Sequence, residues 1–545
     1  MLKNGRADKS QIFFNLHKEE NDVFTIKQAS EWASKYLQRT VTPSNISYLI
    51  QYGRVARFDA NGDLLIRKKD LLKYYDSYLG RREDRWKNKL GNDLDWGLSF
   101  DHLRESDTTK HVHRLHPYKG KFIPQLVGYF LDNHLDDFKR QVYFDKGDII
   151  LDPFAGSGTT LVQANELGMH AVGVDISAFN SLISNVKVGS YDFKELFAEI
   201  QKISQALKLF VSKSEILIFD QKLLEELERF NNKYFPVPGY KTSLRKGKIN
   251  ESLYGQEKEN LFLPVFKKLI LEYKIDLRQD KTDKFLDKWY LRHIREEIEF
   301  VHRHVQAIKD ENVQKVVSIV LSRTIRSCRA TTHSDLATLK EPVDHPYYCA
   351  KHGKVCKPLF SLMSWWERYG EDTINRLTYF NKIRTATHQA CLTGDARTID
   401  LFAALDNQLP ALGRLARKKK IRGIFSSPPY VGLIDYHEQH AYAYNLFGFE
   451  RNDDLEIGPL CKGQGADARA SYVEGISKVL TNCRRFLTDD FDAFLVANDK
   501  YDLYPSIVEK AGMTIVNQFK RPVLNRTERD KSPYSEIIFH IKNGK

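Results

Sequence analysis

Nine residues constrain this chain more than any others: Asp152-Pro153-Phe154-Ala155-Gly156-Ser157-Gly158-Thr159-Thr160. They follow a short apolar run, Asp148-Ile149-Ile150-Leu151-Asp152, that reads as a buried strand. A helical pattern runs from Thr159 to Leu167, and a second strand, Ala171-Val172-Gly173-Val174-Asp175, comes next. Strand, glycine-rich turn, helix and strand make one βαβ unit with parallel pairing. Glycines at such a turn let backbone N–H groups approach a ligand closely, and the helix N-terminus favours an anionic group. The segment is not a P-loop, because no Gly-Lys-Ser/Thr follows. Nor is it the dinucleotide G-x-G-x-x-G, because only two glycines stand at the turn.

The α/β pattern breaks off near Tyr191. Phe193, Leu196, Ile200, Ile203 and Leu207 then recur at three- and four-residue spacing, the core-facing stripe of a helix. Two more helices are expected between Thr282 and Arg329, and another around Phe360 to Tyr379. Strands resume at Ala390–Thr393, Ile421–Ser426, Ala493–Ala497, Thr514–Gln518 and Glu536–Ile541. The expectation is an α/β fold of seven strands around one large helical insertion.

Ahead of this lies a different block. Thr25 can cap a helix that opens at Ile26, with Gln28 placed for a capping box. A second helix follows Thr42-Pro43-Ser44 and ends at Gly53. Arg57 to Ile66 reads as a hairpin turning at Asn61-Gly62, and a third helix runs from Lys69 to Tyr78. The segments TIKQASEWA, VTPSNISYLIQYGRV and LLIRKKDLLKYY resemble a winged helix of the MerR/excisionase type. A helical protein-interaction module is the alternative. The division expected is 1–79 winged helix, 80–114 linker, 115–190 first part of the core, 191–385 insertion and 386–545 second part of the core.

DPFAGSGTT resembles motif I of the S-adenosylmethionine-dependent amino-methyltransferases, and Ser426-Ser427-Pro428-Pro429-Tyr430 matches their (Asp/Asn/Ser)-Pro-Pro-(Tyr/Phe) signature at a strand end. The resemblance covers about His116 to Asn185 and Ala390 to Lys542, and it implies a Rossmann-like methyltransferase core. It implies that Asp152, Pro153, Phe154, Ala155, Gly156, Ser157, Gly158, Thr159 and Thr160 hold the methionine part of the cofactor. Asp175, with Ile176 beside it, matches the carboxylate that receives the ribose hydroxyls. Asp395 in Thr393-Gly394-Asp395-Ala396-Arg397, with Ala396, matches the residue beside the adenine amino group. A turn Asp is the plain alternative there. His116-Pro117-Tyr118-Lys119-Gly120-Lys121-Phe122-Ile123-Pro124 resembles motif X, which brings Tyr118 and Lys121 to the cofactor.

The chemistry accounts for the tetrapeptide. An exocyclic amine has its lone pair delocalised into the base. Acceptors aimed at its two hydrogens localise that pair for in-line attack on the sulfonium methyl. The Ser427 side chain and the Pro428 carbonyl can be those acceptors, and the prolines, Pro429 included, fix the backbone. Tyr430 can stack on an extruded base. A cytosine-C5 mechanism needs a thiolate, normally in a Pro-Cys pair, and none of the six cysteines follows a proline. Serine at the first position is typical of N4-cytosine enzymes, whereas motif I preceding the tetrapeptide resembles the α-ordered group. Order and signature do not point to one subgroup, and cytosine N4 is favoured over adenine N6 on Ser427 alone. A tRNA guanine-N2 methyltransferase and a non-catalytic DNA-binding regulator remain as rivals.

Two further features bear on partners. Cys349-Ala-Lys-His352-Gly-Lys-Val-Cys356 has Cys328 and His333 upstream. A set of Cys328, Cys349, His352 and Cys356 would close a structural zinc site, with unconnected thiols as the alternative. The net charge is +13, from 84 Lys+Arg against 71 Asp+Glu. With basic clusters at 322–329, 417–420 and 521–531, this favours a polyanion, double-stranded DNA, over a merely basic surface. A cognate restriction endonuclease would be a natural companion. No apolar stretch approaches the roughly 20 residues that span a bilayer, and no h-region opens the chain, so no membrane partner and a cytoplasmic location are expected.

Overall fold

Three short strands open the described part of the chain: β1 (Val23–Thr25), β2 (Arg57–Ala60) and β3 (Asp63–Arg67), in the order β1-β3-β2, all antiparallel. The computed structural model describes residues 23–38, 40–51, 54–60, 63–76, 88–90, 94–100, 103, 105–118, 120–213, 215–277, 282, 284–333, 335, 339–358, 361–435, 437–523 and 534–544. Gly53, the Asn61-Gly62 turn and the boundary near residue 79 lie outside them. Helices Ile26–Leu37, Pro43–Gln51 and Lys68–Tyr75 accompany the small sheet. The capping box forms as the sequence suggests. Thr25 Oγ1 accepts from the Gln28 amide at 3.3 Å, and the Gln28 side chain accepts from the Thr25 amide at 2.9 Å. Ala29, Ala33, Ile46, Leu49, Ile50, Ile66 and Leu71 build a core of this unit's own. Strand β1 has no counterpart in the sequence reading.

The main sheet contains β4 (Ile149–Asp152), β5 (His170–Asp175), β8 (Gln389–Thr393), β9 (Ile421–Ser426), β10 (Leu487–Ala497), β11 (Met513–Val523) and β12 (Tyr534–Asn543). The spatial order is β11-β12-β10-β9-β4-β5-β8. The pairings β10–β9, β9–β4, β4–β5 and β5–β8 are parallel, and β12 runs antiparallel to both neighbours. The chain moves outward from β4 through β5 to β8, then returns to place β9 on the other side of β4. Ligands of open α/β sheets bind at such a reversal, beyond the carboxyl ends of the strands.

Alternate residues of the central strands face opposite layers, as the two-residue period of a strand requires. Ile150, Ala171 and Phe425 enter one core, while Ile149, Leu151, Val172 and Ile424 enter the other. The insertion packs on the first of these faces. Helices Phe193–Val211, Ile216–Tyr234, Glu251–Tyr273, Arg292–Gln306, Glu311–Ser327 and Met363–Ile383 contribute Leu196, Phe219, Phe262, Ile298, Val316 and Trp366 to the same continuous cluster. The insertion carries a two-stranded hairpin, β6 (Tyr347–Cys349) and β7 (Lys354–Cys356). Among the described residues, no helix is long and apolar enough to cross a membrane.

Candidate active site

The loop after β4 turns back sharply enough to need glycine twice. Gly156 has φ +49° and Gly158 φ +73°, both in the region that L side chains avoid. A Cβ on Gly156 would lie 2.9 Å from the Tyr118 hydroxyl, and one on Gly158 would lie 2.8 Å from Ser184 Oγ. The Ala155 amide donates to the Val174 carbonyl at 3.0 Å, and Ser184 Oγ donates to the Gly156 carbonyl at 3.1 Å. The buried Nζ of Lys187 donates to the Ser157 carbonyl. The loop is thus fixed from below before any ligand arrives.

Above it lies a cavity, and most of the residues expected at a cofactor line it. Tyr118 and Lys121 come from the segment before the sheet. Pro153 to Ser157 and Thr159 come from the glycine-rich turn, Asp175 and Ile176 from the end of β5, and Asp395 and Ala396 from the turn after β8. Ser427 and Pro429 close the wall at the end of β9. Five expected residues do not line it: Asp152, Gly158, Thr160, Pro428 and Tyr430. Asp152 points across the sheet instead. Its Oδ1 accepts from Ser426 Oγ at 2.6 Å and from the Phe154 amide at 3.2 Å. Thr160 Oγ1 donates to the Phe425 carbonyl at 3.2 Å. Both side chains strap β4 and its helix to β9. The Tyr430 hydroxyl donates to Glu536 Oε1 at 2.9 Å, and Glu536 is paired with Arg521 at 2.7 Å. The sequence could not place this ring, because its anchor lies on the last strand.

Asp175 is held by three donors. Gly156 N donates to its Oδ2 at 2.8 Å, and Ser177 N and Asn180 Nδ2 donate to its Oδ1 at 2.9 and 3.1 Å. Burial nevertheless dominates and pushes its pKa up to about 6. Asp152 is likewise pushed up to about 6 by burial, against the opposing bonds from Ser426 and the Phe154 amide. At Asp395 burial works upward, but the bidentate Arg397 guanidinium at 2.7–3.0 Å outweighs it and holds the carboxyl below its ordinary range. Burial lowers Lys121 to about 8, helped by Arg114 and Arg376, and its Nζ donates to the His113 carbonyl at 2.5 Å. Burial also keeps His440, near Tyr118, neutral, with its pKa down at about 3.

The residues fit an S-adenosylmethionine-like ligand. Ser157 Oγ and Asn180 Oδ1 are buried without a hydrogen-bond partner in the protein, and both residues line the cavity. Two carboxylates, Asp175 and Asp395, border the same space and can accept from hydroxyls and an amine. Leu455, Glu456 and Ile457 also reach the cavity wall. They lie about 25 residues past the tetrapeptide, at the end of the short 3-10 helix Asp453–Leu455 and just after it, where no pattern marks them.

Two expectations about charge and metal need correction. Cys328 is not with the other three candidate ligands. It caps the helix Glu311–Ser327 inside the main core, 1% exposed, and burial pushes its thiol up. His333 stands in its place beside Cys349, His352 and Cys356. In the basic clusters, Arg323 pairs with Asp372 and packs over the Tyr369 ring, Arg417 pairs with Asp406, and Arg521 pairs with Glu536. Arg323 and Arg521 are committed inside the fold rather than to phosphate, whereas the Arg417 pair lies at the surface. Residues 524–531 lie outside the described part.

Comparison with known proteins bears on the same region. A family model described as DNA methylase (N6_N4_Mtase) matches residues 16–185. Type II methyltransferase M.MjaII of Methanocaldococcus jannaschii is 46% identical over 524 residues, 95% of this chain and 97% of that one. Type II methyltransferase M.BsoBI of Geobacillus stearothermophilus is 23% identical over 356 residues, 65% of this chain and 56% of that one. Type II methyltransferase M.MvaI of Kocuria varians is 26% identical over 133 residues, 24% of this chain and 28% of that one.

Proposed function

This chain belongs to the amino-type DNA methyltransferases, and we propose that within that family it methylates cytosine at N4 in a specific duplex sequence. Family membership implies S-adenosylmethionine as methyl donor and DNA as substrate. It also sets aside the tRNA enzyme and the inert regulator. The observation that carries the finer reading is that the first residue of the tetrapeptide is a serine, Ser427, lining the same cavity as the glycine-rich turn and Asp175.

In this reading Asp175 receives the ribose hydroxyls, Asp395 and Ala396 border the adenine, and the 153–159 turn with Tyr118 and Lys121 encloses the methionine part. When bound, the cofactor supplies an electrophilic methyl on sulfonium. Everything else falls to the protein. Ser427 Oγ and the Pro428 carbonyl accept from the two hydrogens of the target amine, drawing its lone pair out of conjugation with the ring. That interaction strengthens as the nitrogen gains positive charge, so it counts more in the transition state than in the ground state. Tyr430, held by Glu536, offers its ring face to the extruded base. The amine proton is released after transfer, once the nitrogen is cationic and acidic.

The same proposal assigns DNA reading to the 1–79 unit as a winged helix, which the 80–114 linker joins to the core, and to the 191–385 insertion. The catalytic parts are then 115–190 and 386–545. The type II designation of the relatives extends it to a cognate restriction endonuclease as companion. The test is nucleoside mass spectrometry on DNA methylated by the purified protein. N4-methylcytosine is expected, and N6-methyladenine would overturn the choice of base. Ser427→Ala should lose on the order of 100-fold in single-turnover transfer, as removal of one preorganised hydrogen-bond partner of the transition state does, with unchanged cofactor affinity. Full activity in that variant would make the tetrapeptide a structural turn.

A further inference from the structure

The insertion carries a small lobe with almost no apolar core of its own. In the β6–β7 hairpin, Tyr347 lies opposite Cys356 and Cys349 opposite Lys354. Its separate buried cluster is Tyr347, Cys349 and Cys356, with Val343 packed beside it. The hairpin docks on the main core through buried Val355, but two strands are marginal on their own and lobes this small are usually stapled. Two of the three buried residues here are thiols, and they are not joined as a disulfide.

Two imidazoles stand against those thiols. His352 Nδ1 lies 3.6 Å from Cys349 Sγ and 3.4 Å from Cys356 Sγ. The His333 ring meets that of His352 edge to face, with centroids 4.5 Å apart. One ligand atom from each of the four residues lies within 4.8 Å of all the others. Around tetrahedral zinc, bonds of about 2.3 Å to sulfur and 2.0–2.1 Å to nitrogen give an N–S edge of roughly 3.6 Å. Both measured N–S separations fall near that edge.

The surroundings orient the ligands. Tyr347 Oη lies 2.8 Å from the His333 amide nitrogen and 2.6 Å from its Nδ1. With Nδ1–H donating to that oxygen, Nε2 keeps the lone pair, the outer-shell arrangement common at metal-bound histidines. Gly353 turns the hairpin at φ +64°, and a Cβ there would run into the Lys241 side chain. Asn231 on the helix Ile216–Tyr234 bonds both backbone groups of Val355, at 2.9 and 3.0 Å.

We propose that His333, Cys349, His352 and Cys356 hold one zinc ion in a closed, structural site. Two thiolates and two neutral imidazoles complete a four-coordinate shell, and binding releases the two thiol protons to solvent. The ion ties the segment after the helix Glu311–Ser327 to the hairpin, which Asn231 ties to the rest of the insertion. None of the four ligands lines the catalytic cavity, so the metal acts on the insertion and not on methyl transfer itself.

The experiment is elemental analysis of the full-length protein, made without a metal-binding tag or chelator. About one zinc per chain is expected. His333→Ala and Cys356→Ser should each lose it, while Cys328→Ala should keep it, with cofactor binding by calorimetry reporting that each core is folded. Thiol labelling gives a reading free of variants. Exposed Cys461 should react with a maleimide at once, and Cys349 and Cys356 only after chelation. Metal-free wild-type protein that binds cofactor would overturn the site. So would zinc retained by His333→Ala and lost by Cys328→Ala.

Discussion

Asp175 illustrates how a single residue can make the site answer to pH. Its folded pKa is raised to about 6 by burial, above the roughly 3.9 of an unfolded Asp. In the free protein the folded state therefore binds the proton more tightly than the unfolded one. The stabilisation this gives is present below about pH 4, is lost as pH rises towards 6, and does not change further above that. In the proposed binding mode ribose hydroxyls donate to this carboxylate, so the bound state favours the ionised form. Cofactor affinity should then weaken by up to tenfold per pH unit below about 6 and level off above it. Asp175→Asn should bind weakly at every pH, with the slope gone. Asp152 shares the same range but faces Ser426, so Asp152→Asn should keep the wild-type slope. Calorimetry between pH 5 and 7.5 decides, and a flat wild-type profile would sink the assignment. The contrast between these two carboxylates was not legible in the sequence. The nine-residue motif and the strand after it mark both, but the direction of a side chain at a strand end depends on which neighbour offers a hydrogen bond. Cys328 and His333 show the same limit, since spacing along the chain does not reveal that a helix end carries one of them into the core.

At the scale of elements, the proposed catalytic geometry rests on one seam. β4 and β9 pair through only Ile150 with Gly423 and Leu151 with Ile424, yet they carry the two loops that must face each other. Gly423 leaves no room for a side chain, because a Cβ there would run into the Asp492 carbonyl and the Phe144 ring. The Ser426–Asp152 and Thr160–Phe425 bonds extend the seam past the last paired residues. Ser426→Ala would leave a buried carboxylate short of a donor, a loss typically of about 1–3 kcal/mol. It should lower the urea midpoint and reduce turnover more than cofactor affinity, because the spacing between the turn and Ser427 is what loosens. An unchanged midpoint would show that the strap contributes nothing to stability. The strands themselves were readable, because buried parallel strands are short continuous apolar runs. All seven expected strands occur, although β10 begins at Leu487, six residues before its apolar core. The β1 strand went unseen because three residues carry no period. The Tyr430–Glu536–Arg521 chain went unseen because it joins segments about a hundred residues apart.

For the whole molecule, the question is where a net charge of +13 meets DNA. Arg323 and Arg521 are buried against Asp372 and Glu536, so the 322–329 and 521–531 clusters hold fewer free cations than the sequence suggests. The unit around Ile26–Leu37 and Pro43–Gln51 closes a hydrophobic core of its own, and can therefore be removed without opening the catalytic core. A chain starting at residue 80 should bind S-adenosylmethionine as the full chain does, since no residue lining the cavity precedes Tyr118. Its DNA affinity should fall, and most at low salt. Each phosphate that the protein no longer neutralises takes about 0.9 from the slope of log K against log salt, so leaving three phosphates bare flattens it by nearly three. The pattern separates two ways of weakening the complex. A unit that reads bases only would weaken cognate binding at every salt concentration and leave the slope alone. A unit that grips the backbone would change the slope for cognate and random DNA alike. Equal affinity and equal slope in the two proteins would remove the N-terminal unit from DNA binding and leave recognition to the insertion.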